Sequence, residues 1–337
     1  MNKKRNILVT GGAGFIGSSL VKRLTTDGHV VSVIDNLWRG RIENLQNSDG
    51  RSVIDLAIQF HHADLTNYGE CEKLIRDYDV VYHLADIVGG IQYVFGNQLY
   101  VFRQNMLINT NVLTACLHNN VKNYVYVGTA CSYPKSLQMQ EGIVSLREEQ
   151  AYPAEPESAY GWSKLMGEYE AELAQQSGKI NVAILRLHNV YGPGSSMESF
   201  RSQVIPALMA KAIRYPKQPF IVWGSGRQYR DFIFVDDVVE ALVQAWQRGL
   251  NQGVVQIGSG IPTTIRQLAE MIVKLSGKDI EIHYDVSKPE GDRGRISVIE
   301  RARRVLDWKP QYSISDGLTL SYEWAKRNFR EENADAS

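Results

Sequence analysis

Ile7-Leu8-Val9-Thr10 runs directly into Gly11-Gly12-Ala13-Gly14-Phe15-Ile16-Gly17, and no other stretch of the chain limits its possible folds so tightly. The first four residues are apolar and largely β-branched, as in a strand buried on both faces. From Phe15 to Leu24 the apolar residues (Phe15, Ile16, Leu20, Val21, Leu24) recur at helical spacing. Strand, glycine turn and helix, in that order, form the context in which such a motif binds a dinucleotide. Gly11 permits the tight turn, Gly14 lets the backbone approach a pyrophosphate, and Gly17 lets helix and strand pack closely. The helix start at Phe15 and Ile16 then offers free N–H groups and a positive dipole end to the phosphates.

A second strand, 30–34, ends in Asp35, with Asn36 beside it. An acid there accepts both ribose hydroxyls of NAD and repels the extra phosphate of NADP. Arg39 and Arg41, just beyond, soften that preference. NAD is the expected cofactor.

Tyr160-Gly161-Trp162-Ser163-Lys164 is the second signal. Tyr160 and Lys164, spaced i and i+4, share one helix face. A free phenol titrates near pH ~10, and a neighbouring ammonium is expected to lower that value. Such a tyrosine takes a proton from a sugar hydroxyl while hydride leaves to nicotinamide. Thr129 closes the apolar strand 124–127 and can orient the same oxygen. Together the two motifs imply redox chemistry on a hydroxyl.

Strand and helix signals alternate from residue 6 to about 190, which implies an α/β fold with a Rossmann-type, doubly wound parallel sheet. Further strands are expected at 79–84 and 180–187, and a long helix from 98 to 119. Beyond Tyr191-Gly192-Pro193-Gly194 the alternation loosens. Helices near 201–214, 235–248 and 263–276 mix with short strands near 220–223, 254–257 and 280–284. The expected division is a cofactor domain, mainly 1–190, a smaller α/β substrate lobe, mainly 191–330, with the chain crossing between them, and a frayed tail at 331–337.

Thirty-seven basic residues balance thirty-seven acidic ones, so no net field draws the chain to nucleic acid or an anionic membrane. No apolar run approaches the ~20 residues of a membrane span. Cys71, Cys116 and Cys131 are too few and too scattered for a disulfide framework or zinc site. No metal is expected, and a reducing cytoplasm is the simplest compartment.

These motifs resemble the extended short-chain dehydrogenase/reductase family, from residue 6 to about 328. Thr10 to Gly17, His83-Leu84-Ala85, Asn105 with Asn111, Tyr160 with Lys164, and Arg230-Asp231-Phe232 before Val235-Asp236-Asp237 carry the likeness. It implies that Thr129, Tyr160 and Lys164 are catalytic. It also implies that Asp64-Leu65 contacts adenine, that Leu84 and Ala85 join the cofactor site, and that Asn105 supports an active-site water network. A homodimer is implied too, with the 98–119 helix and the Tyr160 helix paired as a four-helix bundle.

The catalytic hydroxyl lies in Gly128-Thr129-Ala130-Cys131-Ser132-Tyr133-Pro134. The family's 4,6-dehydratases place an Asp-Glu pair directly after this threonine. Ala130 cannot protonate a leaving hydroxyl, so dehydration is disfavoured. A thiol becomes a plausible base when a cation or helix end stabilises its thiolate. The segment resembles the GDP-mannose 3,5-epimerase subfamily, as do Gly89-Gly90-Ile91, the stretch 186–193, Pro289-Glu290-Gly291 with Arg293-Gly294-Arg295, and Leu306-Asp307-Trp308-Lys309-Pro310. That likeness implies a base at Cys131 and substrate contacts at Gly90, Asn105 and Asn189. Arg230, Arg293 and Arg295 are the expected guanidinium partners of the diphosphate. One departure stands out. The lysine that the subfamily carries after Tyr-Gly-Pro is missing from 194–199, where Glu198 falls near its register.

The expected activity is an NAD-dependent nucleotide-sugar epimerase working through a transient 4-keto sugar. A 4-epimerase or a 4-keto-sugar reductase would use the same Thr129, Tyr160 and Lys164, and a catalytically idle NAD-binding protein is the remaining alternative. His83, His188, Trp38, Trp223 and Trp308 read as packing residues.

Overall fold

The computed structural model describes residues 3–138, 142–197, 202–288 and 293–329. Its centre is a seven-stranded sheet. In spatial order the strands are Val254–Ile257, Asn181–Leu187, Asn123–Thr129, Val80–His83, Asn6–Thr10, Val30–Asp35 and Phe60–His62. Every neighbouring pair is parallel. Alternation along the strands explains how both faces are covered. Ile7, Val9, Val31 and Val33 point to one side, where Leu20, Val21 and Leu24 of helix Phe15–Thr26 and Val238 and Leu242 of helix Val235–Arg248 meet them. Leu8, Ile34, Val81, Tyr124 and Tyr126 point to the other, against Val101, Ile108 and Val112 of helix Gln98–His118 and Ala171 of helix Ala159–Gln176. A strand buried on both sides has no polar face, which is why the sequence shows apolar runs there and not alternation.

The chain returns to this sheet late. Val254–Ile257, grouped in the sequence reading with the smaller lobe's strands, pairs in parallel with Asn181–Leu187 at the sheet edge. Helix Val235–Arg248 leads into it and packs beside helix Phe15–Thr26, where Arg23 Nη1 meets Glu240 Oε2 at 2.6 Å. Three small sheets complete the strands of the described residues. Asn189–Tyr191 pairs with Tyr229–Phe234, which also pairs with Pro262–Thr264. Phe220–Trp223 pairs with Ile282–Asp285, and Val144–Leu146 with Arg295–Ser297. Trp223 is 46% exposed, against the packing role expected of it. Phe220 and Val222 take the inward positions of that strand, so residue 223 turns outward.

The first strand lies between Val80–His83 and Val30–Asp35. The connections therefore diverge at its C-terminal end, and a crevice opens there. No helix among the described residues is long and apolar enough to cross a membrane.

Candidate active site

One cleft at the C-terminal strand ends is lined by Gly11, Gly14, Phe15, Ile16, Gly17, Asp35, Asn36, Asp64, Leu65, Leu84, Ala85, Asp86, Thr129, Tyr160 and Lys164. Asp86 excepted, these are sequence-proposed residues, drawn together from six separate segments. At one end, Gly11 adopts φ +68°, and a Cβ on Gly17 would run into the Gly11 carbonyl oxygen. Close contact between turn and helix therefore requires glycine at 17. Gly14 caps helix Phe15–Thr26 in extended backbone, with no side-chain cap and no acid in the first turn. Such an end suits a pyrophosphate. Asp35 Oδ2 accepts from the Ala13 amide at 3.0 Å and Oδ1 from the Leu37 amide at 2.8 Å. Each oxygen keeps a lone pair for a ribose hydroxyl. Burial pushes the Asp35 pKa up, against the pull of those amides. Asn111 Nδ2 donates to the carbonyls of Leu65 and Thr66 at 3.0 and 2.9 Å and fixes the Asp64-Leu65 loop. Glycine cradle, open helix end and ribose acceptor together fit NAD.

The other end carries charge. Helix Ala159–Gln176 starts at Ser158, whose hydroxyl accepts from the Gly161 amide. A Cβ on Gly161 would strike the Cys131 carbonyl oxygen, so glycine there lets the helix reach the turn Ala130–Ser132. Thr129 caps that turn, its Oγ1 accepting from the Cys131 amide at 3.3 Å. Half-buried Tyr160 donates its phenol proton to Asp86 Oδ2 at 3.1 Å. Lys164 Nζ lies 3.5 Å from the same oxygen. Paired with Asp86 in this way, Lys164 does not lower the phenol's pKa as expected. Burial first, and then the Asp86 carboxylate, push it well above the usual tyrosine range.

Arg295 is 5% exposed and lies behind the turn. Its Nη1 donates to the Ala130 carbonyl at 3.3 Å and its Nη2 to Cys131 Sγ at 3.8 Å. The guanidinium expected to grip a diphosphate thus stands against the cysteine. Its strand is held by Asp231, which accepts from the amide and hydroxyl of Ser297 at 2.8 and 2.5 Å and from those of Ser259, both at 2.6 Å. Asn105 is fully buried. Its side chain accepts from the Ile87 amide at 2.6 Å and donates to the Ile87 carbonyl and to Ser163 Oγ. It braces two walls of the cleft and is closed to substrate, which corrects its expected place among the substrate contacts. Asn189 Oδ1 is buried without a hydrogen-bond donor among the described residues. Arg230 Nη1 donates to the Tyr229 carbonyl at 2.7 Å, Gly90 caps the short helix Ile91–Gly96, and Arg293 is exposed. Glu198 and Pro289-Glu290-Gly291 lie outside the described residues.

His83 is buried between Thr10 Oγ1 at 2.8 Å and Asn109 Oδ1 at 3.0 Å, and Trp308 is buried, donating to the Asp237 carbonyl. His188 is buried, with Nε2 3.1 Å from Gln256 Oε1, and it also lines the cleft. Sequence reasoning missed three supports: the Asp86 bridge, the Asp231 anchor, and the buried pair of Glu168 with Arg186, 2.6 Å apart beneath Gly128. Asp86 directly follows the His83-Leu84-Ala85 motif, and an acid at the mouth of a cofactor cleft was the available signal.

The sequence profile of the NAD dependent epimerase/dehydratase family matches residues 7–258. The chain belongs to that family. Its cofactor is NAD. GDP-mannose 3,5-epimerase of Arabidopsis thaliana is 31% identical over 331 residues, covering 98% of this chain and 85% of that one. The structure of UDP-glucose 4-epimerase from Thermotoga maritima with UDP-glucose superposes with a TM-score of 0.85 at 28% identity, over 96% of this chain and 100% of the other. UDP-glucuronic acid 4-epimerase from Bacillus cereus, solved with UDP-glucuronic acid and NAD, gives 0.81 at 29% identity, over 96% and 99%. Within this family the chain is an enzyme of nucleotide-sugar chemistry.

Proposed function

We propose that this protein inverts a carbon next to C4 of a GDP-hexose of the mannose type, by way of a transient 4-ketone. The observation that carries this reading is Cys131, two residues beyond Thr129, with the Arg295 guanidinium 3.8 Å from its sulfur. The 31% identity to a GDP-mannose 3,5-epimerase supports it. Ala130 offers no acid for water elimination.

When bound, NAD supplies the hydride acceptor for C4 and later the donor that restores it. The proton work falls to the chain's own residues. Thr129 Oγ orients the C4 oxygen. Tyr160 Oη first releases its own proton to solvent, as a phenolate that the Lys164 ammonium favours; it then exchanges Asp86 for the C4 hydroxyl and takes that proton. The ketone acidifies the hydrogens on C3 and C5. Cys131 Sγ removes one of them, with Arg295 holding positive charge against the sulfur, and the carbon takes a solvent-derived proton on its opposite face before C4 is reduced again. Asn189, Gly90, Arg230 and Arg293 are assigned to the remainder of the substrate.

Incubating the NAD-loaded protein with GDP-mannose in heavy water tests this reading, and deuterium at C3 or C5 is the expected result. Epimerised sugar free of solvent deuterium would instead assign C4 inversion. That second reading needs only Thr129, Tyr160 and Lys164, and the whole-chain likeness to a UDP-glucose 4-epimerase favours it. Net consumption of the cofactor would assign a keto-sugar reductase.

A homodimer belongs to the same proposal. Helices Gln98–His118 and Ala159–Gln176 pack together and leave Leu99, Tyr100, Leu107, Tyr169 and Leu173 exposed on their outer side. An apolar face of this kind is an association surface. Light scattering should return twice the 38.0 kDa chain mass; a monomer would remove this part.

A further inference from the structure

Asp86 puts a negative charge where a tyrosine–lysine pair needs a positive one. It lines the cleft between Ala85 and the Thr129–Tyr160 wall, and its side chain is 15% exposed. Among the described residues, its side-chain hydrogen bond and ion pair both fall on one oxygen. Oδ2 receives Tyr160 Oη and faces Lys164 Nζ, and Oδ1 has no protein donor. An ionised carboxylate offers about four acceptor sites. Much of that capacity stands open in a cleft whose walls nearby include Leu84, Ile87, Val88 and Leu187. A charged acceptor there gains most from a hydroxyl that enters with the substrate.

What that hydroxyl is follows from Tyr160, and this step rests on the epimerase reading above. In that reading Tyr160 Oη meets the C4 hydroxyl. The C4 oxygen of a hexopyranose is flanked by the C3 hydroxyl on one side and by the C6 hydroxyl, carried on C5, on the other, each close enough to share a hydrogen-bonding partner with it. A carboxylate that reaches Tyr160 Oη at 3.1 Å therefore also reaches the group beside the reacting hydroxyl. We propose that Asp86 is a specificity residue: it accepts a hydrogen bond from a sugar hydroxyl adjacent to the one oxidised, and so fits the site to a neutral hexose while excluding a uronic acid.

The exclusion is electrostatic. A uronic acid carries its carboxylate on C5, next to the reacting carbon, and would set it within a few ångströms of Asp86. Like charges at that range repel strongly where water is sparse. Lys164 carries one positive charge, which Asp86 already balances. The distinction divides the family, because the Bacillus cereus neighbour was solved with UDP-glucuronic acid.

Calorimetric titration of the NAD-loaded protein with GDP-mannose and with GDP-mannuronate tests the assignment, since the two differ only in the C6 group. The wild-type protein is expected to hold the neutral sugar at least tenfold more tightly. Asp86→Asn and Asp86→Ser should bring the two within about threefold, chiefly by tightening the uronate, with thermal unfolding of the same samples identifying the folded variants. A wild-type protein that binds both equally overturns the assignment. So does a folded variant that keeps the wild-type ratio, and both results leave the epimerase reading intact. Failure of the wild-type protein to bind GDP-mannose overturns that reading and this assignment with it.

Discussion

The two ends of the cleft are built in opposite ways. Around Gly11, Gly14 and Gly17 the surface is mostly backbone from one continuous stretch of chain, and Asp35 beside it is tied down by two amides. Around Tyr160 the surface is side chain. Asp86, Thr129, Tyr160 and Lys164 arrive there from three separate segments, with Cys131 and Arg295 against each other behind them, and the Asp86 and Lys164 charges lie 3.5 Å apart. A backbone cradle needs little support beyond its own turn. A cluster of charges needs a scaffold, and the scaffold lies beneath it in the Glu168–Arg186 pair and the Asp231 anchor. Binding a shared cofactor can thus be local in sequence, whereas the chemistry is distributed.

The sharpest way to break this contrast is Tyr160→Phe. Turnover should fall by about 10²–10⁴-fold, the usual worth of an acid–base group, while NAD affinity, read by fluorescence quenching, changes little. A comparable loss of NAD binding would mean that the two ends are not separable. Next is the scaffold. Glu168 and Arg186 have side chains only 3% and 1% exposed, so Glu168→Gln leaves a buried guanidinium without its counter-charge. Denaturant unfolding should show a loss of about 3–5 kcal/mol.

Gly17→Ala probes the backbone end. Its methyl group has no room beside the Gly11 carbonyl, and overpacking of this kind costs about 1–3 kcal/mol. Calorimetry should show a lower melting temperature and weaker NAD binding together. The smallest effect concerns pH. Burial, then the nearby Lys164 charge, hold the His83 pKa down to about 3. The unfolded chain takes up a proton near pH ~6.5 that the folded chain refuses until about 3. Stability from this residue is therefore full above the upper value and is lost as the pH falls through the window. His83→Gln should flatten that part of an acid-unfolding curve.

The same contrast explains what could be read from the residues alone. The glycine turn and its strand and helix were legible because buried strands and glycine chemistry leave local marks. Helix Val235–Arg248 appeared at its full length because its apolar stripe is regular. The pairing of Val254–Ile257 with Asn181–Leu187 was not legible, since a four-residue apolar strand carries no sign of which sheet it will join. Tyr160 and Lys164 were found through their spacing, but spacing is silent about Asp86, which reaches them from another strand end. Arg295 was assigned a phosphate and stands against a thiol instead, because a guanidinium suits either partner and only the Val144–Leu146 pairing decides where it points. Asn105 was noticed, and burial rather than residue type gave it a bracing role.

Replacing Cys131 with alanine in the NAD-loaded enzyme bears most directly on the proposed chemistry, with reduced nicotinamide and sugar deuterium followed together after GDP-mannose is added in heavy water. A cysteine base acting on a 4-ketone requires that reduced cofactor still form while deuterium at C3 and C5 disappears. Deuterium entering those positions at the wild-type rate in the Cys131→Ala protein would contradict it.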